Sequence, residues 1–469
     1  MAMGNRITSS ESKGLKVSSA TQGCPEANKQ LSVYRVSETS SSLVTPELMA
    51  TGSRLVADFC LCRGYNPRAG SIFYGRKVVL TWPFAKPSQP QGSIRTMTET
   101  GPFLPDRFAF KLFRELVRPN GASNVFCSPL SVMLCLMMVW EGATGKTREA
   151  MAKALEIVED PEGCQRFLKA ALAISSPGIE LAIANSLWCD EQARMLPSFL
   201  TLAREKYAAE VVSLSFQSPD AVPRINGWVA DKTHGKIGSI IDTLPPLALL
   251  VALNAIYFKG LWKAPFEKSL TREERFLSPG NHSIKVPLMR RSGYYPYHEE
   301  SDFQAVRLPY QGDRAGMYIF LPSKKSGLPA FLRTLTSAQW GHWMRTFTQT
   351  EGLVGMPRFK FEHQVELVPV LSNLGMSEAF DPERAQFDGM ALPPPPIYIS
   401  RAIHRAVVEV NEEGTEAAAV TAIVYATASV ASFRPPRIFQ MILDRPFFFV
   451  IRDDHSNMIL FMGAVNDPT

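Results

Sequence analysis

The chain has 469 residues and lacks most features that announce a function. No apolar run reaches the ~18 residues a spanning helix needs, so no membrane partner is expected. The longest runs, 247–258 and 447–451, have the length of a strand or core helix. Cysteine is sparse, odd in number and scattered: Cys24, Cys60, Cys62, Cys127, Cys135, Cys164 and Cys189. Structural zinc needs four convergent ligands, and this spacing supplies none, so the thiols are expected to be free, mostly buried, and without a metal. Cys127 and Cys135 fall in an apolar helical pattern.

Excess charge is missing where it would matter. The formal net charge is +6, but residues 1–100 hold 12 Lys/Arg against 6 Asp/Glu, and the other residues balance at 38 against 38. The body therefore has no global field for a polyanion, and nucleic acid is not an expected partner.

Catalytic constellations are missing too. The loop from Gly142 to Thr147 looks like a phosphate loop, but the position five before Gly145 is Trp140 rather than glycine. It also joins two helical patterns instead of following a strand. No His-Glu-x-x-His or Gly-x-Ser-x-Gly occurs, and the seven histidines have no paired spacing. His404 alone lies in an apolar strand-like run, where a hydrogen-bonded core role is the commoner one. Nothing assembles a nucleophile, a base and an oxyanion site, so no enzyme and no cofactor are expected.

What is present divides at about residue 103. Residues 1–102 are rich in Ser and Thr, poor in acids and without sustained hydrophobic period. They are expected to be a disordered or misassigned extension, Met97 being a candidate start, with an organellar transit peptide as the alternative. No apolar stretch of signal-peptide length opens the chain. The extracellular space is the expected compartment and the cytoplasm the alternative. From Phe103 on, "DRFAFKLFREL" places Phe108, Leu112, Phe113 and Leu116 on one helical face after Pro105-Asp106. Ser128-Pro129 has the form of an N-cap with proline at the first helical position, and the helix should run through Trp140 to Gly142. Thr147 should cap the next helix. Strand-like runs follow at "LLVALNAIYF", "YYPYHEESDFQAVRLPY" and "GMYIFLP". "PFFFVIRD" and "NMILFMG" should form a buried hairpin. Helices cluster early and strands late, an α+β plan.

One segment fits neither loop nor core. Residues 412–433, "EEGTEAAAVTAIVYATASVASF", carry no charge after Glu416 and neither Gly nor Pro after Gly414. Alanines come first and β-formers second.

In order along the chain, "SNVFCSPLSVMLCLMMVWEGATGKTREAM", "IANSLW", "INGWVADKTHGKI", "LNAIYFKGLWKAPF", "MPRFKFE", "LSNLGMSEAFD", "VVEVNEEGTEAAA" and "DRPFFFVIRD…ILFMGAV" resemble the serpins, the serine-protease-inhibitor family. The resemblance covers residues 103–469 apart from the last residue. It implies three β-sheets, eight or nine helices and an exposed reactive loop. The large central sheet would be able to accept that loop as an extra strand. It further implies a suicide substrate: a serine protease acylated on the loop, trapped covalently 1:1 as the loop inserts. The protein would be a monomer able to form loop-sheet polymers. A non-inhibitory carrier or chaperone, and a cross-class inhibitor of cysteine proteases, are the alternatives.

By the same resemblance Glu412, Glu413, Gly414, Thr415, Glu416, Ala417, Ala418 and Ala419 form the loop hinge. Small side chains there would pass between packed strands, and the absence of proline keeps every ladder donor. Residues 415–428 could span on the order of 40 Å as a strand. Family spacing places the reactive bond at Ala428-Ser429, which suits an elastase-like or subtilisin-like target. Ser128, Ser131, Asn254 and His404 match polar residues beneath the sheet where it opens; satisfied core polars are the alternative. Trp262 matches an aromatic near loop entry, or is plain core. Departures are Val420 in place of a common alanine, Arg401 in place of an acid, and a longer stretch at 429–443.

Overall fold

A computed structural model describes residues 105–118, 121–157, 161–174, 176–245, 247–415 and 438–469. Helix α1 (Pro105–Val117) buries Phe108, Phe110, Leu112, Phe113 and Leu116 along one face. Strand β1 (Val125–Cys127) leads into α2 (Pro129–Glu141), where the Ser128 hydroxyl accepts the Ser131 amide and Gly142 closes the helix. Cys127 thus ends a strand rather than sitting in a helix, because the Ser128-Pro129 cap fixes the helix start beyond it. Helix α3 (Gly145–Ala154) starts after Thr144, not at Thr147. Thr147 is buried in its first turn, and its hydroxyl accepts the Gln386 amide.

The chain continues through α4 (Pro161–Leu172), β2 (Ile179–Asp190), β3 (Arg194–Met195), α5 (Pro197–Tyr207), β4 (Glu210–Leu214), α6 (Ala221–Lys232) and β5 (Leu250–Leu261). Then come β6 (Arg272–Ser278), β7 (His282–Glu300), β8 (Phe303–Pro309), β9 (Ala315–Pro322), α7 (Gly327–Thr334), α8 (Ser337–Trp343), β10 (Thr348–Pro357), β11 (Phe359–Glu366) and α9 (Leu367–Leu371). The last elements are β12 (Ala391–Leu392), β13 (Arg401–Val410), β14 (Gly414–Thr415), β15 (Phe439–Ile442), β16 (Phe447–Asp453) and β17 (Met458–Val465). The segregation of early helices from late strands is incomplete, since α7 to α9 interrupt the strands. β9 is buried along its whole length instead of alternating, covered on both faces.

Among the described residues there are three sheets. The central one runs β11-β13-β14-β5-β2-β4, a nine-stranded one contains the β16–β17 hairpin, and β12 pairs with β3. With nine α-helices among the described residues, this is the α+β architecture of three sheets and eight or nine helices that was expected.

The two-residue period of strands splits the central sheet between two cores. Val251, Leu253, Ala255, Ile403 and Val407 face the smaller cluster with Ile225 and Val229 of α6. Leu250, Ala252, Ile256, Ala402 and Ala406 face the main core with α2. Each fully buried aliphatic or aromatic side chain there contributes about 1.5–3 kcal/mol. Any polar group on the α2 face therefore needs an internal partner.

Candidate functional site: a seam in the central sheet

The middle of the central sheet is a parallel pairing of β13 with β5, from Arg401 opposite Val251 to Val407 opposite Tyr257. Two polar residues face each other in this register, His404 and Asn254, and Asn185 of β2 lies opposite Asn254 on the other side. Three strands thus set an imidazole and two amides in a row, on the face covered by the first turn of α2. His404 Nδ1 meets Asn254 Oδ1 at 2.5 Å, and His404 Nε2 accepts the Ser128 amide at 3.1 Å. The Asn254 amide nitrogen donates to Ser131 Oγ at 2.5 Å and to Asn185 Oδ1. Ser128 Oγ donates to the Leu460 carbonyl at 2.6 Å.

These contacts fix the imidazole as neutral, with its proton on Nδ1. Burial, then the neighbouring His363, lowers the His404 pKa to about 3. All five side chains are buried, and the four anticipated polar residues do come together. Asn185 was not singled out in the sequence. Its only signal was an asparagine inside an apolar strand, as in Asn254.

Beyond Val407 the strands part and the chain turns back between them. Asn411 Oδ1 accepts the Glu413 amide and the Asn411 amide reaches the Gly414 carbonyl, closing the turn. Gly414 and Thr415 then pair antiparallel with β5, opposite Leu261 and Gly260, and Thr415 also pairs with Val410 of β13. A Cβ at Gly414 would collide with the Gly260 carbonyl oxygen, so the close approach requires glycine here. Thr415 is fully buried, and its hydroxyl shares a 2.8 Å hydrogen bond with Tyr310. Trp262 stacks on Tyr310 with ring centroids 4.8 Å apart. Its indole donates to the Asn411 carbonyl and its amide to that of Glu413. Trp262 is both core and a wall of the turn.

Ahead of the glycine, Glu412 is 2% exposed and grips Arg358 through both carboxylate oxygens. Thr271 donates to it at 2.6 Å. Burial alone would raise its pKa, but the bonds from Arg358 and Thr271 outweigh it and hold the carboxyl below its usual range. Glu413 pairs with Lys268 at 2.5 Å. Arg358, unremarked in the sequence, is the cation that lets a carboxylate be buried beside the turn. Arg401, the departure from the family's acid, pairs with Glu366 at 2.9 Å. Glu416, Ala417, Ala418, Ala419, Ala428 and Ser429 lie outside the described residues. Among the described residues no group of three or more His, Cys, Asp or Glu could hold a metal ion, and no helix is long and apolar enough to cross a membrane.

A three-sheet α+β fold, a parallel seam with a polar row beneath it, and a chain that re-enters the same sheet after β13 define one class of protein. The family model "Serpin (serine protease inhibitor)" matches residues 104–468, and the chain belongs to the serpin family. A serpin-like protein of Thermococcus kodakarensis is 36% identical over 367 residues, 77% of this chain and 84% of its own. Human serpin B8 is 36% identical, over 77% of this chain and 97% of its own. Human leukocyte elastase inhibitor is 34% identical, over 77% and 98%. Among solved structures, native tengpin, a thermophilic serpin, superposes with TM-score 0.71 at 28% identity, covering 77% of this chain and 92% of that one. Thyroxine-binding globulin in complex with thyroxine superposes with TM-score 0.70 at 26% identity, over 78% and 98%. The family and its inhibitory relatives support a protease inhibitor whose partner is a protease.

Proposed function

We propose that this serpin is a suicide substrate of an elastase-like or subtilisin-like serine protease, carried by residues 103–469, with 1–102 an extension. The protease hydroxyl attacks the Ala428 carbonyl, an ester forms, and the amide bond breaks to release the Ser429 amine. The freed loop then continues the strand begun at Gly414 and Thr415, separating β13 from β5 below Val407. The seating of Gly414-Thr415 between those strands is the observation that supports this most. The row of His404, Asn254, Asn185, Ser131 and Ser128 is the part of the seam that must yield. Hydrogen bonds can be exchanged one at a time, whereas interlocked apolar side chains lose their packing together.

Mixing the protein with pancreatic elastase or subtilisin should give an SDS-stable complex and a fragment beginning at Ser429. The Thr415→Arg variant should be cleaved at the same bond and release active enzyme, because a guanidinium would have to be buried between strands. Complete turnover of the unmodified protein by a panel of such proteases would overturn the reading and favour a carrier role.

A further inference from the structure

A cleft of about 640 Å³ is lined from α1, β1, α7 and the end of β17. It shares no residue with the seam or the turn. Its volume lies within the range of small-molecule sites, roughly 300–1,000 Å³. Its apolar lining comes from Val117, Leu328, Leu332 and Leu374, with Ala464 and Val125 beneath. Around this run Lys111, Arg114, Arg118 and Arg333, against a single acid, Glu115.

The cations are not equally engaged. Lys111 pairs with Glu156, and Arg118 reaches Glu115 at 3.4 Å. Arg114 and Arg333 have no ion pair among the described residues, and both are exposed. Arg114 lies in the last turn of α1, where a cation also offsets the partial negative charge of the helix end. That role explains one arginine in the last turn of α1. Arg333, across the cleft, likewise lies in the last turn of α7, so the helix ends account for each cation singly but not for the apolar floor that both border.

We propose that this cleft binds an amphipathic organic anion, with an aromatic or branched alkyl body and a carboxylate, sulfate or sulfonate head. The body would lie on Leu328, Leu332 and Val117, and the head between Arg114 and Arg333. Guanidinium forks match such oxyanions in a bidentate manner. The chain's own first hundred residues are poor occupants, because their net charge is positive, as is the cleft's.

The probe is 8-anilinonaphthalene-1-sulfonate, titrated by fluorescence into the full-length protein, with neutral N-phenyl-1-naphthylamine alongside. One saturable site per chain is expected for the sulfonate, weakening with added salt, and clearly weaker binding of the neutral dye. Arg114→Gln and Arg333→Gln should each weaken sulfonate binding about tenfold, the loss expected for one charge-assisted contact. Both should leave the neutral dye and protease inhibition unchanged, which separates this site from the inhibitory reading. Sulfonate affinity equal in the variants and the parent, or equal affinity for both dyes, would overturn the proposal.

Discussion

A single imidazole gives the closed sheet a pH dependence whose sign can be worked out. His404 is held neutral with a pKa of about 3, first by burial and then by His363, against an ordinary value of 6.5. Between those values the unfolded chain binds a proton that the folded state refuses, so stability falls as pH falls. This contribution is fully present above about pH 6.5 and is lost progressively as pH falls toward 3. His363 is shifted the same way by burial, partly offset by its contact with the Phe126 carbonyl. Asp106 acts oppositely: burial raises it to about 6, so the folded state binds the extra proton between its ordinary value and 6. Urea unfolding at pH 7.5 and 5.0 should show a loss of stability in the parent that His404→Gln reduces. An unchanged loss in that variant would remove His404 from the account.

At this scale the sequence was legible wherever a residue type admits few environments. The Ser128-Pro129 cap stands where the pattern put it, because capping is set by local geometry, whereas the glycine at 414 is required by a close approach to the distant Gly260 carbonyl. Asn185 and Arg358 were not legible, because their roles arise from register and from a partner far along the chain. Asn185 sits opposite Asn254 across two strands, and Arg358 meets a carboxylate 54 residues away. Thr147 was misread because a small hydroxyl residue ahead of a helical run has the form of a cap. The Gln386 amide, 239 residues on, claims its oxygen instead.

Among elements, the seam is held from both faces. Beneath it lie the polar row and the first turn of α2. On the other face α6 and the segment after it are tied across the seam to β13 and β11. Arg401 donates to the Thr243 carbonyl at 3.0 Å, Arg405 to that of Ser239, and Gln364 to that of Ile240 at 3.2 Å. Asn226 of α6 fastens the near end of this strap. Its oxygen accepts the amides of Ile240 and Ile241, and its nitrogen donates to the Ile241 carbonyl. A strand entering between β13 and β5 has to loosen these ties. Asn226→Ala removes three hydrogen bonds and should lower the unfolding free energy by about 2–3 kcal/mol. Native-state hydrogen exchange should show faster opening at Ile240 and Ile241 than in the parent, with the β16–β17 hairpin unaffected. Equal protection at both amides would mean that the strap is held by its Arg401, Arg405 and Gln364 contacts alone. Strands β5, β9, β16 and β17 were readable from their apolar runs. The strap was not, because its bonds run to backbone carbonyls, which carry no residue signature.

For the molecule as a whole, the proposed insertion requires that the described form of the central sheet is not its most stable one. Its middle is a parallel pairing, slightly weaker per residue than an antiparallel one. A strand continuing β14 would be antiparallel to both neighbours, replacing one ladder with two. The intact chain cannot complete this, because β15 already pairs in parallel with β10 in another sheet, from Gly352 opposite Phe439. Phe439 stacks there on Tyr297 with centroids 3.8 Å apart, and both ends of the intervening segment are thus fastened. Cutting between residues 416 and 437 removes that constraint. A net gain of about 5 kcal/mol, spread over a folded unit of roughly 365 residues, would raise the melting midpoint by about 6 °C. Limited proteolysis with thermolysin, followed by calorimetry at a fixed scan rate, should show this rise in the parent. It should be absent from cleaved Thr415→Arg, whose hinge cannot be buried. Equal midpoints for intact and cleaved parent would mean that the strand begun at Gly414 and Thr415 goes no further, and that the seam is a closed joint rather than a place of entry.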